Sequence, residues 1–168
     1  MLKVLVPTDG SANSLRAVRH VVAEYRRDPA LEVHLLNVQP RLSRHIARFV
    51  ARRDRHAWHG ARAQAAMVEA TAALDEAGVP HQAHWALGER ASEICRTATR
   101  IGAHHIVIGA TRSHSVARLL QEPVIDHLLK ITTVPVKLVA GEGVSRWQRW
   151  GLPVGILGVG GLMLLALE

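Results

Sequence analysis

The sequence predicts an α/β fold, with a five-stranded parallel sheet and helices on both of its faces. Short runs of β-branched and other apolar residues alternate with segments in which apolar residues recur at helical spacing. Proline and glycine residues fall between these segments, where turns are expected. The chain has 168 residues, of which 48% are hydrophobic and 21% charged, which fits one folded domain and excludes wholesale disorder. Strands that alternate with helices form right-handed βαβ units, and such units build a parallel sheet.

The first part of the chain contains two strands and a helix. The apolar run at 3–8 predicts a buried strand, and Ser11 is placed to cap the helix that follows it. That helix is indicated by apolar residues at helical spacing, namely Leu15, Val18, Val22 and Tyr25. The pair Asp28-Pro29 ends the helix, and residues 31–38 predict the second strand.

The later part of the chain repeats the alternation of helix and strand. Gly78 and Pro80 separate one predicted helix from the third strand, and Gly88 follows that strand as a turn. The predicted helices cover residues 61–77, 94–101 and 123–131. The predicted strands cover residues 81–87, 103–109 and 135–140.

The positive charge of the chain is concentrated in one segment. The net charge is +7, yet residues 41–62 alone carry seven arginines and one aspartate. We predict that residues 41–60 form a basic insertion or lid within a domain at 1–141. Three interpretations of the arginine-rich segment stay open: a solvated lid, a helix lying on anionic lipid, and a nucleic-acid contact. The third is the least favoured, because few aromatic residues are interleaved and no groove-reading motif is present.

The C-terminal segment has the pattern of a membrane anchor. Residues 151–167 are 17 consecutive residues without a charge, and arginines and tryptophans at 146–150 precede them. We therefore predict a basic and aromatic linker at 142–150 and a hydrophobic helix at 151–168 that inserts into the membrane. The arginines place the main domain in the cytoplasm, at the inner face of the membrane. The alternatives are an apolar tail that docks on its own domain or on a second protomer, and a disordered or artefactual end.

Several kinds of chemistry have little support in the sequence. Cys95 is the only cysteine, which excludes an intrachain disulfide and a zinc site with several cysteines. The chain has 11 histidines, but no cluster of acids accompanies them, so we predict no metal site. No serine-nucleophile motif is present, and we assign no catalytic residue.

Four segments, taken in order, resemble the universal stress protein family over residues 1–140. They are KVLVPTDGSANSLRAV, LEVHLLNVQP, GVPHQAHWALGERASEI and IVIGATRSHSVARLLQEPVIDHLLKITTVPVKLV. The resemblance implies a Rossmann-like fold similar to the adenine nucleotide alpha hydrolases. It also implies a homodimer formed through the last strand, where Val134, Val136 and Leu138 would be the edge residues.

The resemblance also implies a nucleotide pocket, which members of the family use to bind ATP. Pro7, Asp9 and Val38 match the positions that enclose adenine and ribose in the family. Gly109 and Val124 match positions of its phosphate-binding loop, whose pattern is G-x2-G-x9-G-[ST]. The glycines of such a loop let the backbone approach a phosphate, and the next helix presents its N–H groups.

That glycine loop is degenerate in this sequence. When the pattern is aligned on Gly109, its second glycine is replaced by Arg112 and its third by Glu122, and its hydroxyl residue is Pro123. The carboxylate of Glu122 would repel a phosphate by about 4 kcal/mol at 4 Å. Pro123 provides neither a hydroxyl nor an N–H. We therefore predict that Glu122 and Pro123 block the phosphate site, with Glu122 paired to Arg112.

The sequence thus predicts a non-enzymatic regulatory module of the stress-response type, dimeric and tethered to the membrane, with no cofactor. One alternative is a stress switch that binds ATP or AMP and hydrolyses ATP weakly. A second alternative is an accessory regulatory domain that assembles with a membrane transporter. The protein partner and the stress itself are not identified by any residue pattern.

Overall fold

A computed structural model describes residues 1–43, 45, 48–110 and 123–140 of the chain. Within these residues, strands and helices alternate along the sequence, as predicted. In chain order the elements are β1 (Leu2–Pro7), α1 (Ala12–Tyr25), β2 (Leu31–Gln39), α2 (Arg52–Glu76), β3 (His81–Leu87), α3 (Arg90–Ile101), β4 (His105–Ala110), α4 (Pro123–Ile131) and β5 (Val136–Ala140).

The five strands form one parallel sheet in the order β3-β2-β1-β4-β5. The chain moves outward from β1 through β2 to β3 and then crosses to the other side of β1. In this register, Val4 of the central strand lies opposite Val33 of β2 and His105 of β4. The strand order therefore reverses between β1 and β4, and a cleft opens beyond the carboxyl ends of strands at such a point.

The helices cover both faces of the sheet, which confirms the predicted fold class. One hydrophobic cluster joins α1 and α2 to the first face, and its buried members include Val6, Val18, Leu35, Met67 and Leu74. The second cluster joins α3 and α4 to the opposite face, and its buried members include Leu5, Leu36, Ile94, Ile106 and Leu128. Burial of these apolar surfaces stabilises the packing of helices on the sheet.

Helix α2 begins at Arg52, whereas the sequence predicted a helix that starts at residue 61. Its N-cap residue, Ala51, makes no side-chain capping hydrogen bond, so the usual sequence signal for a helix start is missing. Residues 52–60 thus belong to the helix that connects β2 to β3, and the role of residues 41–60 as a basic insertion or lid stays a prediction. By contrast, Ser11 caps α1 as predicted, since its side chain accepts a hydrogen bond from the Ser14 N–H.

Several sequence predictions lie outside the described residues. These are the linker at 142–150, the hydrophobic helix at 151–168, and the residues Arg112 and Glu122. In the part of the chain that the structure does describe, no helix combines the length and the apolar character that a membrane span requires.

Strand β5 is the last strand of the sheet and pairs with β4. Val134, Val136 and Leu138 are partly buried, and they pack against the second hydrophobic cluster. Between Val136 and Leu138, the Lys137 ammonium donates a hydrogen bond to the Glu24 carboxylate of α1. The apolar residues predicted as a dimer edge therefore contribute to the core of this chain, and pairing through the backbone of β5 stays a prediction.

Candidate functional site

A cavity of about 160 Å³ opens beyond the carboxyl ends of β1, β2 and β4. It lies where the strand order reverses, which is where ligands bind to open α/β sheets. The residues at its apolar walls are Pro7, Leu36, Val38, Ile94, Ile108, Val124 and Ile125. Its polar lining consists of Thr8, Asp9, Ser11, Asn13, Ser14 and Arg90, and the backbone of Gly109 completes it.

The cavity brings together residues that the sequence placed far apart. Pro7, Asp9, Val38, Gly109 and Val124, which match pocket positions in the family, all line it. The sixth predicted pocket residue, at position 112, lies outside the described residues. The role of these residues in binding a ligand stays a prediction.

Pro123 is the first residue of α4, beside the cavity-lining Val124. A proline at this position suits the start of a helix, because the first N–H groups of a helix have no partner inside it. The same position contributes no N–H donor to a ligand. Asp126 also places a carboxylate in the first turn of α4, which is the end of a helix that attracts anions.

Hydrogen bonds hold the loop between β1 and α1 in place. The Thr8 N–H donates a hydrogen bond to the Leu36 carbonyl at 2.8 Å. The Thr8 hydroxyl donates a hydrogen bond to the Ser14 hydroxyl at 3.1 Å. From β2, the Asn37 amide donates to the Thr8 carbonyl at 2.8 Å. Because these groups are buried and paired with each other, they fix the shape of the cavity wall.

The Asp9 carboxylate is bound into the start of α1. The Ser11 N–H donates a hydrogen bond to its Oδ1 at 3.0 Å. Burial raises the pKa of Asp9, but hydrogen bonds from Ser11 and Ser14 outweigh this effect and hold the pKa below its ordinary value. Asp9 is therefore ionised at neutral pH and is the acidic group of the described cavity lining.

Gly109 allows α1 to approach β4 closely. A Cβ atom built on Gly109 would lie 1.7 Å from the Asn13 carbonyl oxygen and 2.9 Å from the Ser14 nitrogen. No side chain fits at such distances, so the first turn of α1 requires glycine at this position whether or not a ligand is bound. The packing of α1 therefore explains the glycine at position 109 without any role in phosphate binding.

Several residues of the cavity were not predicted from the sequence as site residues. Ser11 was predicted only as the cap of α1, and Asn13 and Ser14, in the first turn of that helix, had no predicted role. Arg90 is the first residue of α3 and carries the positive charge of the described lining. The sequence feature that could have indicated Arg90 is the turn at Gly88, because it follows the end of β3 at the same edge of the sheet.

Glu89 fixes the start of α3, and so the position of Arg90. Its carboxylate accepts hydrogen bonds from Ala91 N–H at 3.0 Å and from Ser92 N–H at 2.7 Å. The Ser92 hydroxyl donates a further bond at 2.7 Å. These bonds, above all those from Ser92, lower the pKa of Glu89 to about 2.

Replacing this cap is expected to weaken the fold in a pH-dependent way. Glu89→Ala should lower the free energy of unfolding by about 1 kcal/mol at neutral pH. The folded pKa of about 2 lies below the ordinary 4.5, so the contribution is present above pH 4.5 and lost as the pH falls towards 2. Urea unfolding over this pH range should show the wild type and the variant converging.

Glu76→Ala is the matched control for the cap variant, since Glu76 is exposed at the end of α2. We expect its effect to stay within about 0.5 kcal/mol at every pH. A Glu89→Ala effect that is constant down to the lowest pH would contradict the assignment of the cap.

Two histidines of the sheet, His34 of β2 and His84 of β3, pair with each other. His34 Nδ1 lies 3.0 Å from His84 Nε2, and the two rings are stacked. Burial lowers the pKa of both imidazoles, so both are neutral at neutral pH and one can donate a hydrogen bond to the other. Over residues 1–43, 45, 48–110 and 123–140, no three histidine, cysteine or acidic side chains come together as a metal site.

Comparison with known proteins agrees with this geometry. The profile described as the universal stress protein family matches residues 1–140. Among solved structures, universal stress protein UspA from Lactobacillus plantarum is 18% identical, with a TM-score of 0.63, over 82% of this chain and 97% of that chain. None of the curated proteins gives a significant match.

Two other solved structures with the same fold contain nucleotides. One is a universal stress protein from Archaeoglobus fulgidus in complex with dAMP, 18% identical with a TM-score of 0.60, over 82% of this chain and 97% of that chain. The other is a family member from Arabidopsis thaliana with AMP bound, 18% identical with a TM-score of 0.61, over 85% of this chain and 94% of that chain. At these identities the similarity shows a shared fold.

Proposed function

Since the chain belongs to the universal stress protein family, we propose that it is a non-enzymatic regulatory module of the stress-response type. In this proposal its cavity does not hold ATP in the way that nucleotide-binding relatives do. In this proposal the protein acts by contacts with other molecules.

The start of α4 is the observation that carries this proposal. Helix α4 begins at Pro123, so the helix end beside the cavity has lost an N–H donor and the hydroxyl that the ATP-binding pattern places there. Asp126 places a carboxylate in the same turn, where it accepts a hydrogen bond from the Lys130 ammonium at 2.7 Å. A triphosphate needs several donors and positive charge at this point, and Pro123 supplies neither.

The polar groups of the described cavity lining also support a non-enzymatic role. The Ser14 hydroxyl donates to the Ser11 carbonyl at 2.9 Å and accepts from Thr8, so it is used to hold the loop. The Asp9 carboxylate is bound to the same loop through Ser11. A catalytic nucleophile requires a base aimed at it, and these groups are engaged in positioning the backbone instead.

Isothermal titration of the full-length protein with MgATP tests the proposal. We expect no binding at micromolar concentrations. Glu122→Gly/Pro123→Ser, which restores two positions of the glycine pattern, should then bind MgATP more tightly, by about tenfold or more, because the repulsion between the Glu122 carboxylate and a phosphate is removed. Micromolar binding of MgATP to the unchanged protein would overturn the proposal.

A second candidate function is a switch that binds an adenine compound without a triphosphate. Two observations favour it: Pro7, Asp9 and Val38 line one cavity, and relatives have been solved with AMP and with dAMP. Arg90 places a positive charge in the same cavity, which suits a single phosphate. In the same titration, heat from AMP without heat from MgATP would favour this candidate.

The proposed module is a homodimer held at the cytoplasmic face of the membrane. The position of β5 at the end of the sheet supports pairing with a second copy, because an unpaired strand edge can accept another strand. The uncharged run at 151–167, with arginines and tryptophans just before it, supports a membrane tether.

A further inference from the structure

The start of α2 and the residues before it carry a surface that the proposed function does not use. Its residues are arginines and aromatic residues, and all of them are exposed. We name it the arginine–aromatic surface and define it by Arg48, Phe49, Arg52, Arg53, Trp58 and Arg62.

The aromatic residues of this surface are not part of the core. Phe49 is 74% exposed and Trp58 is 46% exposed, and neither belongs to the two hydrophobic clusters. Helix α2 is attached to the sheet by other residues, including His59, Ala63 and Met67, which are buried. The packing of α2 on the sheet thus leaves both rings accessible to an external apolar contact.

Arginine side chains lie over both aromatic rings. The Arg48 guanidinium is 5.4 Å from the centre of the Phe49 ring, and the Arg62 guanidinium is 4.9 Å from the centre of the Trp58 ring. Each pair thus presents an apolar ring beside a positive charge. Pairs of this kind suit the boundary between lipid headgroups and acyl chains, where one end is apolar and the other is hydrated.

The charge of the segment indicates an anionic partner. Residues 41–62 contain seven arginines and one acid, a net charge of +6 in a chain whose net charge is +7. Basic residues beside a membrane with anionic lipids contribute favourably to binding. Single-stranded nucleic acid would need a groove that follows its backbone, whereas these residues are exposed at the end of a helix.

We propose that the arginine–aromatic surface docks on an anionic lipid membrane. The arginines bind the headgroups, and Phe49 and Trp58 insert their rings at the interface. Its dependence on the charge of the lipid distinguishes this contact from membrane insertion of the uncharged run at 151–167. It does not depend on the proposed function, and titration with nucleotides reports on a different site.

Sedimentation of the full-length protein with vesicles tests this proposal. One set contains phosphatidylcholine alone, and the other an equimolar mixture of phosphatidylcholine and phosphatidylglycerol. We expect tighter binding to the mixed vesicles, and weaker binding as salt is added. Arg52→Gln/Arg53→Gln should weaken binding to the mixed vesicles by about thirtyfold, a factor of about five for each arginine.

Two further variants complete the test. Phe49→Ala/Trp58→Ala should weaken binding to the mixed vesicles by about tenfold, because the interface loses two inserted rings. Arg26→Gln/Arg27→Gln is the matched control, since it removes the same charge from exposed positions just after α1. We expect this control to bind within about twofold of the wild type.

Three outcomes would overturn the proposal. The first is equal binding of the wild type to neutral and mixed vesicles, which would assign the attachment to the tail. The second is an equal loss of binding in Arg52→Gln/Arg53→Gln and in the control Arg26→Gln/Arg27→Gln, which would show that binding depends only on the net charge of the protein. The third is binding of a single-stranded oligonucleotide, lost in Phe49→Ala/Trp58→Ala, without preference for the mixed vesicles. Circular dichroism checks that every variant is folded, as expected for exposed positions.

Discussion

Gly109→Ala is expected to lower the free energy of unfolding by about 3 kcal/mol or more. The added Cβ would lie 1.7 Å from the Asn13 carbonyl oxygen, which is backbone and cannot rotate away. The first turn of α1 would have to move off β4, and overpacking of this kind typically costs about 1–3 kcal/mol and sometimes more. Urea unfolding followed by tryptophan fluorescence measures the change.

Gly60→Ala is the matched control for this prediction. Gly60 lies inside α2, and a Cβ there would meet the Trp85 ring at 3.7 Å, which is an ordinary contact. Because alanine favours the interior of a helix over glycine, we expect no loss of stability and a gain of up to about 1 kcal/mol. If both variants had the same stability, the close approach of α1 to Gly109 would not exist as described.

Leu36→Ala is expected to lower the free energy of unfolding by about 2–5 kcal/mol, the range for a buried leucine cut to alanine. Leu36 is 1% exposed on β2, lies between β1 and β3, and borders the cavity. Its removal takes apolar contacts from the second hydrophobic cluster and enlarges the cavity.

Leu129→Ala provides the comparison, since Leu129 is 40% exposed on α4. We expect a change of less than about 1 kcal/mol, as at other surface positions. The same unfolding experiment gives both values. A loss at Leu36 no larger than at Leu129 would mean that the cavity region is loosely packed, against the contacts described here.

The elements that the sequence predicted well are those with local signals. Strand β3 and helix α4 have the predicted bounds, because glycine or proline stands at or next to their ends. The start of α2 was missed, because Ala51 offers no cap and the first turns carry arginines in place of an apolar stripe. Arg90 was missed as a cavity residue, since its role depends on which strand ends lie side by side.

The sequence by itself determined the alternation of strands and helices, the family, and the residues that interrupt the glycine pattern, such as Pro123. These depend on periodicity and on residues close together in the chain, which can be read without knowing the fold. The tertiary structure alone decided that β1 lies between β2 and β4, so that Pro7, Val38 and Gly109 meet at one cavity. It also decided that Gly109 is required by the backbone of α1, because such contacts join residues that no local pattern connects.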